Sequence, residues 1–405
     1  MGYEGPRGTR KEEFGSVMAL VDSIFVSARK KGMRMEDAFP QLFNMGNLEN
    51  MRIMLLGGKP VSHIGISEVG ASLYGCALKV GMIGAVCTDP DHRNKGLAGK
   101  VLADCMRKLL VDGVDFVMVS GIRSLYDRNN CVMAGRSYAY AITSRNAGMI
   151  RRLQCDLADY DPSMLGEVAA IYQTEPVRYV RSREDFSTLL GRRTYRRPKT
   201  FLIGMGGRSV AYVCVEVNDY GKGSGWVVEY AGSRFAVASA LPKLLRRLSL
   251  EKLSLQVPHH DYEMLAALSR VRKPKPSHFG GTMRIVNPEG FLEKLRPYLA
   301  CRVGEKARKL EIASKDQRPV IALGNERLEL KDEKELTWLL FGQPEKVDER
   351  FKSYLRPFSV ESEGELGRVL SAAFPLPTFL YGSGGTWLLA RPPGSAPQAA
   401  RLAFG

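Results

Sequence analysis

Residues 88–100 read TDPDHRNKGLAGK, and within them Arg93, Lys95, Gly96, Ala98 and Gly99 stand where an apolar run gives way to a helical one. Such a junction can bind an anion. The first turn of a helix carries unpaired N–H groups and a partial positive charge. Small residues at 96, 98 and 99 let an anion reach the backbone, while Arg93 and Lys95 add charge. The chemistry this suits is a pyrophosphate cradle. Neither the G-x-x-x-x-G-K-S/T phosphate loop nor the G-x-G-x-x-G dinucleotide fingerprint occurs in the stretch. The same residues also suit an ordinary strand-to-helix turn with exposed cations.

A cradle needs a strand before it and a helix after it. LKVGMIGAVCT (78–88) is a nearly continuous apolar run, as expected of a strand buried on both faces. From Ala98 the period changes: Val101, Leu102, Cys105, Met106 and Leu109 share one face, and Lys100, Asp104, Arg107 and Lys108 the other. Gly113 is a helix stop, and DFVMVSG (115–121) reads as a short buried strand. Upstream, FGSVMALVDSIFVSA has a helical apolar stripe, and MRIMLLGGKPVSHIGI reads as a hairpin turning at Gly57-Gly58.

That order recurs. TFLIGMGGRSVAYVCVEV turns at Gly206-Gly207, and the strand GWVVEYAG, the helix AVASALPKLLRRLS and the strand KLSLQVP follow, which predicts a duplicated domain. The prolines of KPKPSHFGG mark a linker. Beyond it, Asn287 and Pro288 make a helix start, and ELTWLLFG is an amphipathic helix ending at Gly342. The expected division is 1–148, 149–281 and a small α+β domain over 282–405.

The whole chain agrees with a multi-domain soluble α/β protein. Its 405 residues exceed one ordinary core, and 44% hydrophobic with 25% charged residues is an ordinary globular composition. No apolar run approaches the roughly 18 residues of a membrane span, and the N-terminus lacks the apolar core of a secretory signal. Seven cysteines scattered singly point to reduced thiols in a cytoplasm. Five histidines without ligand spacing argue against a metal. A net charge of +16 suggests an anionic partner, either nucleic acid or a phosphorylated cofactor. The basic residues are spread through RYVRSRED, GRRTYRRPK and RVRKPKP with no basic helix, so a solvated basic surface is favoured over a nucleic-acid face.

The opening stretch resembles the acyl-CoA motif of the GCN5-related N-acetyltransferase (GNAT) superfamily, which is Arg or Gln, two residues, Gly, one residue, then Gly or Ala. Arg93-Asn94-Lys95-Gly96-Leu97-Ala98 matches every fixed position. The following MVSGIRSLYDRNNC is similar to that superfamily's tyrosine-bearing segment. The overall order resembles the enhanced-intracellular-survival-like branch: an active GNAT domain, a degenerate second one and a sterol-carrier-protein-like third. EYAGSRFAVASAL in the second unit lacks the acyl-CoA motif, so the resemblance implies one acetyl-CoA site and homo-oligomers.

It also implies a mechanism. Acetyl-CoA would lie along Val86, Cys87 and Thr88, with its pyrophosphate on Arg93, Asn94, Lys95, Gly96, Leu97, Ala98 and Gly99. A backbone N–H of the strand would serve the oxyanion, and Tyr126 would be the general acid. The terminal carboxylate of Gly405 would be the base that frees the acceptor amine, with a relayed water as its rival. Bland readings stand beside these: Tyr126 as a packing tyrosine, Gly405 as a frayed end, Cys87 as a core cysteine. Trp338 and Trp387 read as core rather than as a lipid pocket. Asn130 stands where glycine is common in that segment, and asparagine tolerates the left-handed conformation.

Overall fold

The first unit follows the alternation of its sequence. A computed structural model describes residues 2–26, 34–190, 198–217, 223–271, 274–278, 280–316, 318–360 and 362–379. In it, β1 (Tyr3–Gly8) precedes α1 (Phe14–Phe25) and the short α2 (Met35–Ala38). Strands β2 (Met51–Leu56), β3 (Lys59–Leu73) and β4 (Cys76–Thr88) come next. They lead to α3 (Leu97–Val111), β5 (Phe116–Val119), the one-turn α4 (Ser124–Asp127) and β6 (Ser137–Thr143).

Helical period decides what each helix buries. Val17, Met18, Leu20 and Val21 of α1 pack on one side of the sheet, against Met51, Ile53 and Cys87. Leu97, Val101, Leu102, Cys105 and Leu109 of α3 pack on the other, against Ile64, Ile83 and Val117. Full burial of each such aliphatic side chain stabilises by roughly 1.5–3 kcal/mol. Met106, expected on the apolar face, is only partly buried. Gly113 ends α3 with φ +73°, the left-handed turn its position predicts.

The second unit contains β7 (Asp156–Asp159), α5 (Leu165–Gln173), β8 (Val177–Tyr179), α6 (Arg183–Leu190), β9 (Lys199–Met205) and β10 (Arg208–Val217). It continues with β11 (Ser224–Gly232), α7 (Arg234–Arg247), β12 (Lys252–Pro258), α8 (Tyr262–Ala267) and β13 (Lys275–Ser277). Its hairpin turns at Gly206 and Gly207 with φ +57° and +76°, against +56° and +76° at Gly57 and Gly58. Strands β11 and β12 run parallel around α7, as β4 and β5 do around α3.

The sheets do not keep to the expected divisions at 148 and 281. Sheet one runs β1-β2-β3-β4-β5 and then β14 (Thr282–Ile285), with β8 on β3, and sheet two runs β13-β6-β12-β11-β10-β9-β7. Thus β6 leaves the first unit to pair with β12, and β14, from beyond the linker, takes the place beside β5.

The remaining elements are α9 (Pro288–Lys294), α10 (Arg296–Val303), the meander β15 (Leu310–Lys315), β16 (Arg318–Leu323), β17 (Glu326–Glu329), then α11 (Glu333–Phe341) and α12 (Gly364–Ala373). Asn287 caps α9 by accepting from Gly290 N at 3.0 Å, as its place before Pro288 predicts. The helix breaks at Leu295, because Pro297 has no N–H to donate one turn back. Trp338 is core: its indole N–H donates to the Met133 carbonyl at 2.9 Å. Trp387 and Gly405 lie outside the described residues.

Candidate active site

The end of β4 is where the sheet opens. Pairing between β4 and β5 runs from Val80 with Phe116 to Ile83 with Val119, and Ser120 N donates to the Ile83 carbonyl at 3.0 Å. On the other edge, β3 pairs Gly65 with Gly84 and His63 with Cys87, so Ala85 and Val86 stand opposite Ile64 alone. That extra residue is a β-bulge, and Ala85 adopts φ +47° in it. A bulge bends its strand, and after Ile83 β4 has no partner on the β5 side among the described residues. Residues 84–88 therefore present one free backbone edge to the gap. Side chains alternate along it: Val86 joins the core under α3, and Cys87 joins that under α1. The Thr88 hydroxyl bonds Ser62 at 3.0 Å.

Beyond Thr88 the chain makes a short 3-10 turn and then two left-handed steps, Asn94 at φ +59° and Gly96 at φ +73°. Such steps curl successive N–H groups toward one point, forming a concave anion nest at the start of α3. Gly96 caps this 15-residue helix without a side-chain hydrogen bond. A Cβ placed on Gly96 or Gly99 would meet nothing within 4 Å, so the space above the nest is open. Arg93 and Lys95 are braced by local carbonyls: Arg93 Nε donates to Thr88 O at 3.4 Å, and Lys95 Nζ to Asp91 O at 3.0 Å. Leu97 is buried and fixes the helix to the sheet, while Asn94, Lys95 and Gly96 are exposed. Open space, the cations of Arg93 and Lys95 and the first-turn N–H groups of α3 are features that suit a pyrophosphate.

Tyr126 lies in α4, the turn of helix that follows β5. It is 2% exposed, in the same core cluster as Val86, Leu97 and Cys131. Gly121 makes room for its ring; a Cβ there would lie 3.4 Å from Tyr126 Cε2. Burial pushes the phenol up to about 12, with the Arg123 guanidinium pulling weakly the other way. Asn130 turns the segment with φ +59°, which is the conformation asparagine tolerates.

Residues 6–133, which carry the bulge, the nest and Tyr126, match the acetyltransferase (GNAT) domain family. This part of the chain is similar to GNAT domains. Solved structures agree on the fold. A GCN5-related N-acetyltransferase from Kribbella flavida superposes with TM-score 0.62 at 11% identity, covering 94% of this chain and 99% of that one. Eis1 from Mycobacterium abscessus gives 0.59 at 14% identity over 93% and 97% of the two chains. A GCN5-related N-acetyltransferase from Anabaena variabilis gives 0.59 at 16% over 84% and 89%. No curated protein matches the chain in sequence.

Two carboxylates of this part of the chain, Glu68 and Glu36, are held in ion pairs. Glu68 pairs with Lys79 at 2.5 Å and with Lys108 of α3 at 3.6 Å, and Glu36 pairs with Arg34 at 3.0 Å. Burial pushes the Cys87 thiol up to about 12, so it stays protonated and is no nucleophile. The sequence reading missed His63, which is wholly buried on β3, with Nδ1 2.9 Å from the Ala85 carbonyl. It also missed Arg123, whose charge acts on both Tyr126 and Cys87. Neither has a local signal, because each matters only once β3, β4 and α4 are adjacent.

The second unit fills its corresponding junction from within. At the start of α7, Arg234 bonds Glu175 at 2.5 and 2.7 Å and Asp261 at 2.9 Å. Gly232 N donates to Glu175 at 2.7 Å. An internal carboxylate thus occupies the anion-binding end of the helix, which accords with the missing motif there.

Proposed function

We propose that the GNAT domain moves an acetyl group from acetyl-CoA to a primary amine of a small molecule or protein. The observation that carries this reading is the open nest at Asn94–Gly99, set beside the free edge of β4. Acetyl-CoA supplies an activated thioester carbonyl. Arg93, Asn94, Lys95, Gly96, Leu97, Ala98 and Gly99 hold the pyrophosphate, and the backbone of Val86, Cys87 and Thr88 aligns the pantetheine arm. An N–H of that bulged edge donates to the carbonyl oxygen as charge develops on it. Tyr126 donates its hydroxyl proton toward the departing sulfur.

The amine must lose a proton, and the Gly405 carboxylate is the base proposed here, with a water as the alternative relay. Phe379, the last described residue, stacks on Phe116 of β5 at 6.0 Å and lies 5.2 Å from the Tyr179 ring, and Gly405 lies outside the described residues. A few residues appended after Gly405 should depress turnover without unfolding the protein; unchanged turnover would transfer the role to water.

The second unit reads as a degenerate GNAT repeat without a cofactor site, and the third as a sterol-carrier-like domain, in a cytoplasmic homo-oligomer. The burial of Tyr126 favours one rival, an acyl-CoA-binding sensor without turnover. Thermal-shift titration with acetyl-CoA, followed by CoA release with a panel of amines, decides between them. No stabilisation by acetyl-CoA would sink both readings. Stabilisation without release by any amine would favour the sensor.

A further inference from the structure

The bulge that opens the sheet is held by a side chain from the neighbouring strand. His63 is wholly buried, its ring lies 5.9 Å from that of Phe43, and its Nδ1 stands 2.9 Å from the Ala85 carbonyl oxygen. A carbonyl oxygen can only accept, so Nδ1 carries the hydrogen and donates it. Nε2 is buried with no hydrogen-bond partner among the described residues, which requires the neutral ring with a bare lone pair at that atom. Ala85 itself is in the left-handed region, at φ +47°. A residue other than glycine stays there only when its surroundings over-determine it. Here the surroundings include this bond.

We infer that His63 is a positioning residue for acyl transfer: its Nδ1–H holds the Ala85 carbonyl, and through it the backbone of residues 85–88 that faces the acyl thioester. This rests on the acetyl-CoA reading above. The physical reason is leverage. Ala85 and Val86 have only Ile64 opposite them, so the regular ladder is interrupted at their peptide groups. Without the imidazole, the part-buried Ala85 carbonyl loses this donor and the bulge loses a brace. A donor displaced by about 1 Å from a reacting carbonyl costs up to about a hundredfold in rate. His63 touches neither substrate nor reacting atoms, so it acts only through the strand.

Two variants of the full chain separate the hydrogen bond from the packing. His63→Leu fills the space without a donor, while His63→Asn keeps an N–H near the Nδ1 position. Acetyl-CoA Kd by calorimetry, and kcat with a saturating amine, are read at a temperature where melting curves show each protein folded. The expected result is a loss of about tenfold to a hundredfold in kcat, with a weaker Kd, for His63→Leu, and recovery of most of it by His63→Asn. Values for His63→Leu within twofold of wild type would overturn the inference. So would a His63→Asn variant as poor as His63→Leu, since ring packing would then be the cause. Imidazole ¹⁵N shifts of the wild-type protein give an independent arm that needs no variant. The Nδ1–H tautomer is expected, and an Nε2–H tautomer would remove the proposed bond. Wild-type protein that binds no acetyl-CoA would instead sink the cofactor reading, and this inference with it.

Discussion

Gly99→Asp should abolish stabilisation by acetyl-CoA while leaving the protein as stable as before, or slightly more so. Gly99 is the third residue of α3, in ordinary helical backbone, and a Cβ there meets open space. Replacing a helical glycine usually gains about 0.5–1 kcal/mol. A carboxylate in the first turn adds roughly 0.3–1 kcal/mol through the helix dipole. The same carboxylate would stand against the pyrophosphate. At a separation of about 5 Å and an effective dielectric of about 20, one like-charge pair costs roughly 3 kcal/mol, which is over a hundredfold in affinity. Stability and binding therefore move in opposite directions, which no general loss of folding can imitate. Gly96 is the poorer site for this test, because its φ of +73° would add backbone strain to any substitution. Thermal shift and calorimetry measure both quantities, and undiminished binding would remove the nest from the cofactor site.

Tyr126→Phe should lower kcat by about 10² to 10⁴-fold, the usual contribution of a general acid, with little change in acetyl-CoA Kd. The ring is buried among Val86, Leu97 and Cys131, and phenylalanine preserves that packing. In the proposed mechanism the hydroxyl is needed only as sulfur departs, so its loss should act on the transition state and not on cofactor binding. Burial holds the phenol near 12, so the acid form persists through neutral and mildly alkaline pH and is lost only as pH rises through 12. An alkaline fall in kcat below pH 10 must then belong to another group, and it should survive in the Phe variant. Rates within twofold of wild type, with saturating acceptor and chemistry limiting, would leave Tyr126 as a packing residue.

Much of the site was legible because its signals are local. The spacing of Arg93, Gly96, Ala98 and Gly99 names an anion nest wherever a buried strand meets an amphipathic helix, and both neighbours declare themselves by period. The conformations at Asn94 and Asn130 are properties of the turn residues themselves, as is the cap at Asn287. The paired glycine turns at 57–58 and 206–207 carry the same φ values because two left-handed residues in a hairpin need little else.

Partnership was not legible. The apolar pattern of β6 says that the strand is buried, but not that it lies in sheet two, and nothing in β14 says that it replaces β6 beside β5. Strand pairing is chosen by contacts between residues more than a hundred positions apart, and alternation on one strand is compatible with many partners. The same holds for side chains. His63 in PVSHIGI looks like any strand residue until the register sets it opposite Cys87 and within reach of the Ala85 carbonyl. Glu175, Arg234 and Asp261 are unremarkable charges until folding closes them over the start of α7. The sequence by itself determined the elements, the turns and the nest, because each depends on a few neighbouring residues. The tertiary structure decided which strands share a sheet, what braces the bulge and which helix end is already filled, because those depend on burial and hydrogen bonds between segments that only the fold brings together.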